Sequence, residues 1–289
     1  MLKSLHPGQP QQFAQDGFLF PIAALTAGEV ARYRGFCEEL DALLPRAPLT
    51  WRAQAHLHFR LAYDLATHPA ILDAVEDLIG PDILVLSTIL FAKPPNRDDF
   101  VSWHQDGRYL VREGGSCPPA LTAWIALSDS SAENGCLRAI PGSHRSGSIS
   151  HRFTYAADNM LLRGETLEAD VDESAAVDFV MRAGQMSLHH VDLFHGSNAN
   201  RSGKSRIGFT VRYAHPSVAT SRVSGPVVLA RGRDEFGHYQ LRQGYPPDDF
   251  KAGLASLTEA QRLAAENPNS PTAQAGAGRA TARHDERSR

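Results

Sequence analysis

DILVLSTILFA (82–92) is where the period of this chain changes. The run is continuously apolar and rich in β-branched side chains, the composition of a buried strand. LTAWIALS (121–128), VDFVMR (177–182), MSLHH (186–190) and IGFTVRYAH (207–215) follow as further short strands, separated by Gly-, Pro- and Ser-rich turns. Upstream the spacing is helical. Residues 26–44 have Thr26 and Glu29 at capping-box separation, with Val30, Tyr33, Cys37, Leu40 and Leu44 on one face and Pro45 as a stop. A second helix, over 69–79, opens on Pro69, carries Ile71, Leu72, Val75, Leu78 and Ile79 at helical spacing, and ends at Gly80-Pro81. Helices first and then many strands predict a mainly β sandwich or barrel with flanking helices.

The rest of the chain divides around that core. Residues 143–172 have weaker periodicity and several charges and read as a long insertion or lid, and 251–265 read as a last helix. The polar, low-complexity stretch 267–289 has too little apolar surface to offset the entropy of ordering, so a disordered tail is expected there. That leaves one domain over 1–266, helical from about 10 to 80 and barrel-like from about 82 to 240.

Composition excludes several classes of function. With 289 residues, 42% hydrophobic and 21% charged, the chain can build a sizeable core. A formal net charge of -3 gives no electrostatic reason to expect nucleic acid or an anionic membrane as partner. No apolar run approaches the length of a membrane span. MLKSLHPGQPQQF (1–13) lacks the apolar core of a secretory signal. Cys37, Cys117 and Cys136 are odd in number and have no C-x-x-C spacing, which fits free thiols in a reducing compartment. The expectation is a cytoplasmic protein acting on a small molecule, with nothing that specifies an oligomeric state.

The chemistry concentrates in two blocks. In SWHQDGRYL (102–110), His104 and Asp106 are two apart, so in an extended segment they leave the same face. An imidazole and a carboxylate there form two legs of a 2-His-1-carboxylate facial triad, which leaves metal positions open. The second block, LFHGSNANRSGKSRIGFTVRY (193–213), supplies His195 and, at the start of a strand, Arg206. Arg206, Gly208, Thr210 and Arg212 share one face of that strand, opposite Ile207, Phe209, Val211 and Tyr213. A planar guanidinium suits bidentate pairing with a carboxylate, and Ser197 adds a hydroxyl donor. Arg212 lies on the same face as Arg206 and is an alternative anchor. His189 and His190 could also be ligands, and His190, Asp192 and His195 offer a rival triad, but one drawn from a single short segment and leaving the 103–106 block unexplained.

These blocks, with KPP (93–95), AWIALSD (123–129), ENGCLRAIPGSH (133–144) and HGSNANRS (195–202), resemble the phytanoyl-CoA dioxygenase family of Fe(II)/2-oxoglutarate oxygenases. The resemblance runs from Phe13-Ala-Gln-Asp-Gly17 to Tyr213 and more loosely to DEFGHY (234–239). It implies a double-stranded β-helix, a jelly-roll, cupin-like barrel, and iron held by His104, Asp106 and His195. Arg206 and Ser197 would hold the distal carboxylate of 2-oxoglutarate, with Trp124, Ile89 and Gln105 as further cofactor-binding residues. The implied reaction consumes O2, releases succinate and carbon dioxide, and hydroxylates an unactivated C–H bond of a polar metabolite or natural-product intermediate. Family members that halogenate have a small residue in place of this carboxylate, so Asp106 argues for oxygen transfer. Desaturation, epoxidation, cyclisation or a fatty acyl-CoA substrate are the alternatives, although no basic cluster for CoA phosphates is visible. Outside the family, a cupin-like hydrolase or isomerase, or a non-catalytic binding protein, would not need Arg206 and the complete ligand set.

Within ENGCLRAIPGSH, Asn134-Gly135 and Pro141-Gly142 read as turns. Trp124 is by default a core aromatic. His56 and His58 lie in a stretch the family uses near its active site and are read as surface histidines. Arg108, Tyr109, Arg112 and His151 are candidates to face the substrate.

Overall fold

Successive residues along the long strands alternate between a helix-covered core and an inner pocket, and this alternation builds the fold. A computed structural model describes residues 2–43, 53–110, 119–161, 164–220 and 225–266. In chain order the elements are α1 (Gln9–Asp16), β1 (Phe18–Ala23), α2 (Ala27–Leu43), α3 (Arg60–Ala66), α4 (Pro69–Ile79), β2 (Ile83–Lys93) and β3 (Val101–His104). There follow β4 (Ala120–Ala126), β5 (Leu137–Ala139), β6 (His151–Phe153), β7 (Glu165–Leu167), β8 (Val177–Asp178) and β9 (Gln185–His190). The last elements are β10 (His195–Ser197), β11 (Arg206–Ala214), β12 (Val228–Arg231) and α5 (Phe250–Glu266).

The helix starts obey local chemistry. At the head of α2 the Thr26 N–H donates to Glu29 Oε2 at 2.8 Å and the Glu29 N–H donates back to Thr26 Oγ1 at 3.4 Å, a reciprocal cap. Pro69 occupies the first turn of α4, and Gly80, at φ 92, ends it in a conformation that a side chain would disfavour.

One antiparallel sheet has six strands in the order β1-β9-β4-β11-β2-β12, and a second has four in the order β3-β10-β5-β8. On β11 the side chains Ile207, Phe209, Val211 and Tyr213 join Leu121, Ala123 and Ile125 of β4 and Met186 and Leu188 of β9 in the main core. Tyr33, Phe36 and Leu40 of α2, Leu65 of α3 and Ile71 and Val75 of α4 close that core from the helical side. The opposite side chains of the same strands look toward the smaller sheet. Two facing antiparallel sheets with a site between them make a double-stranded β-helix. No helix among the described residues is long and apolar enough to cross a membrane.

The long strands match the sequence-based expectation within a residue or two, except that 177–182 contributes only Val177–Asp178. β3, β5 and β10 are only three or four residues long and carry no periodic signal. The 143–172 segment is not a free lid. It forms the β6–β7 pair, and Asn159 Nδ2 donates to Ser102 Oγ of β3 at 2.9 Å. His56 and His58 are not surface residues: His56 is 1% exposed with Nδ1 3.0 Å from Thr88 Oγ1, and His58 Nδ1 lies 2.8 Å from Ser256 Oγ. Burial pushes the two imidazoles down to about 3 and about 4. Leu44, Pro45, Arg112, Cys117 and the 267–289 stretch lie outside the described residues.

Candidate metal centre and its pocket

Each short strand of the smaller sheet delivers one piece of the site. His104 ends β3 and His195 begins β10; the two are direct antiparallel partners, which sets their rings 4.0 Å apart. Asp106 starts a single 3-10 turn after β3, Asp106–Tyr109, so the chain bends and the carboxylate returns toward the imidazoles. The nearest ligand atoms of His104, Asp106 and His195 all lie within 4.8 Å of one another, and all three residues are buried. His104 Nε2 is 3.6 Å and His195 Nε2 3.9 Å from the Asp106 carboxylate.

The tautomers suit a cation. His104 Nδ1 donates to the Ser102 carbonyl and His195 Nδ1 to the Leu193 carbonyl, each at 2.9 Å, which leaves both Nε2 lone pairs facing inward. Two neutral imidazoles and one carboxylate, with the remaining directions open to the pocket, fit a divalent metal that must also bind exchangeable ligands.

Asp106 is held from behind. Thr122 Oγ1 donates to its Oδ2 at 2.7 Å, and the Arg212 guanidinium donates to its Oδ1. Burial by itself would raise this carboxyl, but Arg212 and the neighbouring histidines keep it well below the ordinary range. Arg212 is therefore occupied by Asp106. His189, on β9 across from Thr122, brings a third imidazole with Nε2 3.6 Å from Asp106 Oδ2. His190 turns the other way, its ring packed on Phe13 and His144 and its Nδ1 accepting the Asp192 N–H at 3.0 Å. The rival set from 190–195 is thus pulled apart.

A pocket of about 420 Å³ opens beside the three residues. Arg206 reaches into it and is 2% exposed, with its carbon Cζ 5.1 Å from the Trp124 ring centroid. No carboxylate among the described residues lies within ion-pair distance of it, and its Nε has no hydrogen-bond partner. Burial pushes its pKa down to about 10, opposed more weakly by Cys136. A buried guanidinium without a counter-ion is unfavourable unless an anion completes it. Ser197, Trp124, Thr210 and Phe91 line the same pocket. Trp124 fits there because position 208 is glycine: a Cβ would sit 2.1 Å from the indole Cζ2.

Not every sequence candidate faces this pocket. Gln105 is buried, but its amide donates to the Gly147 and Asp192 carbonyls, both at 2.7 Å, and accepts the Ile149 N–H at 2.8 Å, so it ties loops together and does not line the pocket. Ile89 pairs with Thr210 across β2 and β11 but stays outside the lining. His151 is taken up by the Gln105 N–H and the Ile149 carbonyl. Arg108 stacks on Phe153 with its Cζ 5.1 Å from the ring and does not line the pocket. The 134–135 dipeptide is structural: Asn134 Oδ1 accepts the Ser131 N–H, and a Cβ on Gly135 would lie 2.2 Å from the Asn198 carbonyl oxygen. Thr122 and Thr210 were missed among the candidates, although strand alternation puts Thr122 on the side of Trp124 and Thr210 on that of Arg206.

Residues 13–208 match the family model for phytanoyl-CoA dioxygenase. The chain belongs to the phytanoyl-CoA dioxygenase family. Among curated relatives of this family, a phytanoyl-CoA dioxygenase from Arabidopsis thaliana is 37% identical over 131 residues, 44% of this chain and 43% of that protein. A probable alpha-ketoglutarate-dependent hypophosphite dioxygenase from Stutzerimonas stutzeri is 29% identical over 161 residues, 55% of this chain and 54% of that one. The matched stretches thus span about half the length of these relatives. Over a larger share of the chain, the structure resembles ThoJ, a non-haem monooxygenase solved in its apo form, with a TM-score of 0.73, 34% identity, and coverage of 88% of this chain and 94% of that one.

Proposed function

We propose that the protein is a non-haem Fe(II)/2-oxoglutarate-dependent dioxygenase that hydroxylates an unactivated C–H bond of a small molecule. One observation carries the choice within the family: Arg206, buried and without a counter-ion, projects into the pocket that also holds His104, Asp106 and His195. A metal-dependent hydrolase or isomerase has no need of that charge. The names of the Stutzerimonas relative and of ThoJ agree with this reading.

His104, Asp106 and His195 would hold the iron through two Nε2 atoms and a carboxylate oxygen. With iron and 2-oxoglutarate bound, dioxygen would be the oxidant, one of its atoms going to the succinate formed as the cosubstrate loses carbon dioxide and the other to the substrate C–H bond. Arg206 and Ser197 would hold the distal carboxylate, with Trp124 lining the same site. Thr122 and Arg212 each hold one oxygen of Asp106, which would fix the orientation in which the carboxylate meets the metal. The same pocket must admit the cosubstrate as well as the substrate. That favours a compact polar metabolite, or a small portion of a larger intermediate, over a fatty acyl chain.

The test is anaerobic addition of Fe(II) and 2-oxoglutarate to the full chain, read by the weak visible charge-transfer band of the chelate. Wild type should develop the band, and His104→Ala, Asp106→Ala and His195→Ala should not. If His190→Ala and Asp192→Ala abolish metal binding while His104→Ala does not, the triad is misassigned. No band in well-folded, iron-loaded wild type would sink the proposal.

A further inference from the structure

Lys93 is fully buried at the end of β2, directly across the strand pair from Arg206. Its ammonium donates to Ser197 Oγ at 2.6 Å and to the Asn198 carbonyl. No carboxylate among the described residues lies within ion-pair distance of it. Two basic groups therefore sit side by side in the interior, on residues that pair across two strands, and neither has its own anion among the described residues.

The consequence for Ser197 is geometric. A hydroxyl has one proton and two lone pairs. With Lys93 occupying a lone pair, the Ser197 proton is left to donate elsewhere, and it meets no acceptor among the described residues. Ser197 lines the pocket beside Arg206 and Thr210, whose Oγ1 is also without a partner. Three donors thus line the same pocket, and the orientation of one of them is imposed from outside it. We infer that Lys93 is a positioning residue for the distal carboxylate of 2-oxoglutarate, acting through Ser197: it aims the hydroxyl proton at the carboxylate and adds a second buried positive charge behind it. This rests on the proposed role of Arg206 and Ser197, and it goes beyond that role because Lys93 does not itself line the pocket.

The charge state of Lys93 gives the idea a signature. Burial and then the nearby Arg206 push the amine down to about 6, with Asp99 and Cys136 opposing more weakly. The groups facing it are Arg206 from β11, Ser197 and the Asn198 carbonyl at the end of β10, Cys136 before β5, and Asp99 before β3. In the free protein at pH 8 the amine is mostly neutral. A dianion bound beside it favours the ammonium, so binding takes up a proton above pH 6, and affinity should fall as pH rises from 6 to 8, by up to about tenfold per unit.

The experiment measures the 2-oxoglutarate dissociation constant on the full chain by anaerobic titration of the iron-loaded protein, with metal affinity measured separately. Lys93→Met should weaken 2-oxoglutarate about 10- to 100-fold, leave metal affinity within about twofold, and flatten the pH dependence between 6 and 8. Ser197→Ala should also weaken 2-oxoglutarate, and the double variant should lose clearly less than the two single losses combined, because part of the effect of Lys93 runs through the Ser197 hydroxyl. An additive double variant, or Lys93→Met that binds 2-oxoglutarate like wild type, would overturn the inference. If Lys93→Met does not fold, the wild-type profile decides: an affinity independent of pH between 6 and 8 refutes the role. Arg206→Ala is the separating control. Loss of 2-oxoglutarate there with none in Lys93→Met defeats this inference and spares the proposed function, whereas no band in wild type defeats both.

Discussion

Gly208→Ala is the smallest change that tests how the pocket is built. Position 208 lies on the inner face of β11, between Arg206 and Thr210, and its backbone is outside the left-handed region, so alanine brings no strain of its own. The added Cβ would lie 2.1 Å from Trp124 Cζ2 and 2.4 Å from Cε2. Carbon atoms rest at about 3.5–4.0 Å, so the indole must retreat by roughly 1.5 Å. It has little room, being 3% exposed and packed with Phe18, Leu137, Phe179 and Leu193. Overpacking of this kind costs about 1–3 kcal/mol, which corresponds to a fall in Tm of roughly 2–12 °C for a chain of this size. The free direction is into the pocket, over Arg206, so 2-oxoglutarate affinity should also fall, by about tenfold. Thermal denaturation and anaerobic 2-oxoglutarate titration read the two effects. Trp124→Phe in the Gly208→Ala background should recover part of both, since the smaller ring clears the methyl group. Gly208→Ala with wild-type Tm and affinity, or a double variant no better than the single, would show that the indole is not held against this glycine.

Three further outcomes follow from the same geometry. Arg206→Ala should weaken 2-oxoglutarate by about 2–5 kcal/mol, roughly 30- to several-thousand-fold, with metal affinity unchanged, and Arg206→Lys should recover only part, since an ammonium cannot make two parallel hydrogen bonds; isothermal titration with each ligand separates the effects. Arg212→Ala should show the opposite pattern, a loss of metal affinity of about 10- to 100-fold with a smaller effect on 2-oxoglutarate at saturating metal, because Arg212 holds Asp106 and not the pocket end; a steep loss confined to 2-oxoglutarate would move the anchor to Arg212. His56 should make the fold sensitive to acid. Its folded pKa, about 3, lies below the unfolded value near 6.5, so the unfolded state binds the extra proton, and this contribution to stability is complete above about pH 6.5 and is lost as pH falls toward 3. Between pH 6.5 and 5 the loss is about 2 kcal/mol, and His56→Asn, which keeps a polar group near Thr88, should remove that slope in urea unfolding curves.

How much of this was legible beforehand depends on the length scale of the signal. α2 and α4 were readable because their caps and apolar spacing are properties of a dozen neighbouring residues: Thr26 and Glu29 satisfy each other's orphan groups whatever the rest of the chain does. The alternation along 206–213 likewise assigned one side to the core and the other to chemistry, because a strand has only two faces. β3 and β10 are too short for any period to show, and they are the strands that carry His104 and His195. These candidate ligands stand out instead as a chemical pattern, through residue types whose spacing suits a metal.

The partners of each polar group were decided by tertiary structure alone. Arg206 and Arg212 are indistinguishable on their strand: same face, same side chain. Only the bend after β3 brings Asp106 to Arg212 and leaves Arg206 without a counter-ion. Gln105 lies between two ligands in the chain, yet it faces away from them, because adjacent residues on an extended segment point to opposite sides and the loops behind it offer its amide three partners. Lys93 gave no sign beyond its place in KPP. Its meaning arises when β2 pairs with β11 and β10 closes over its end, setting an ammonium that the chain places 104 residues from Ser197 at 2.6 Å from its hydroxyl. Local sequence determined which elements form and which side chains can do chemistry. The burial of unpaired charge exists only once distant strands have enclosed it.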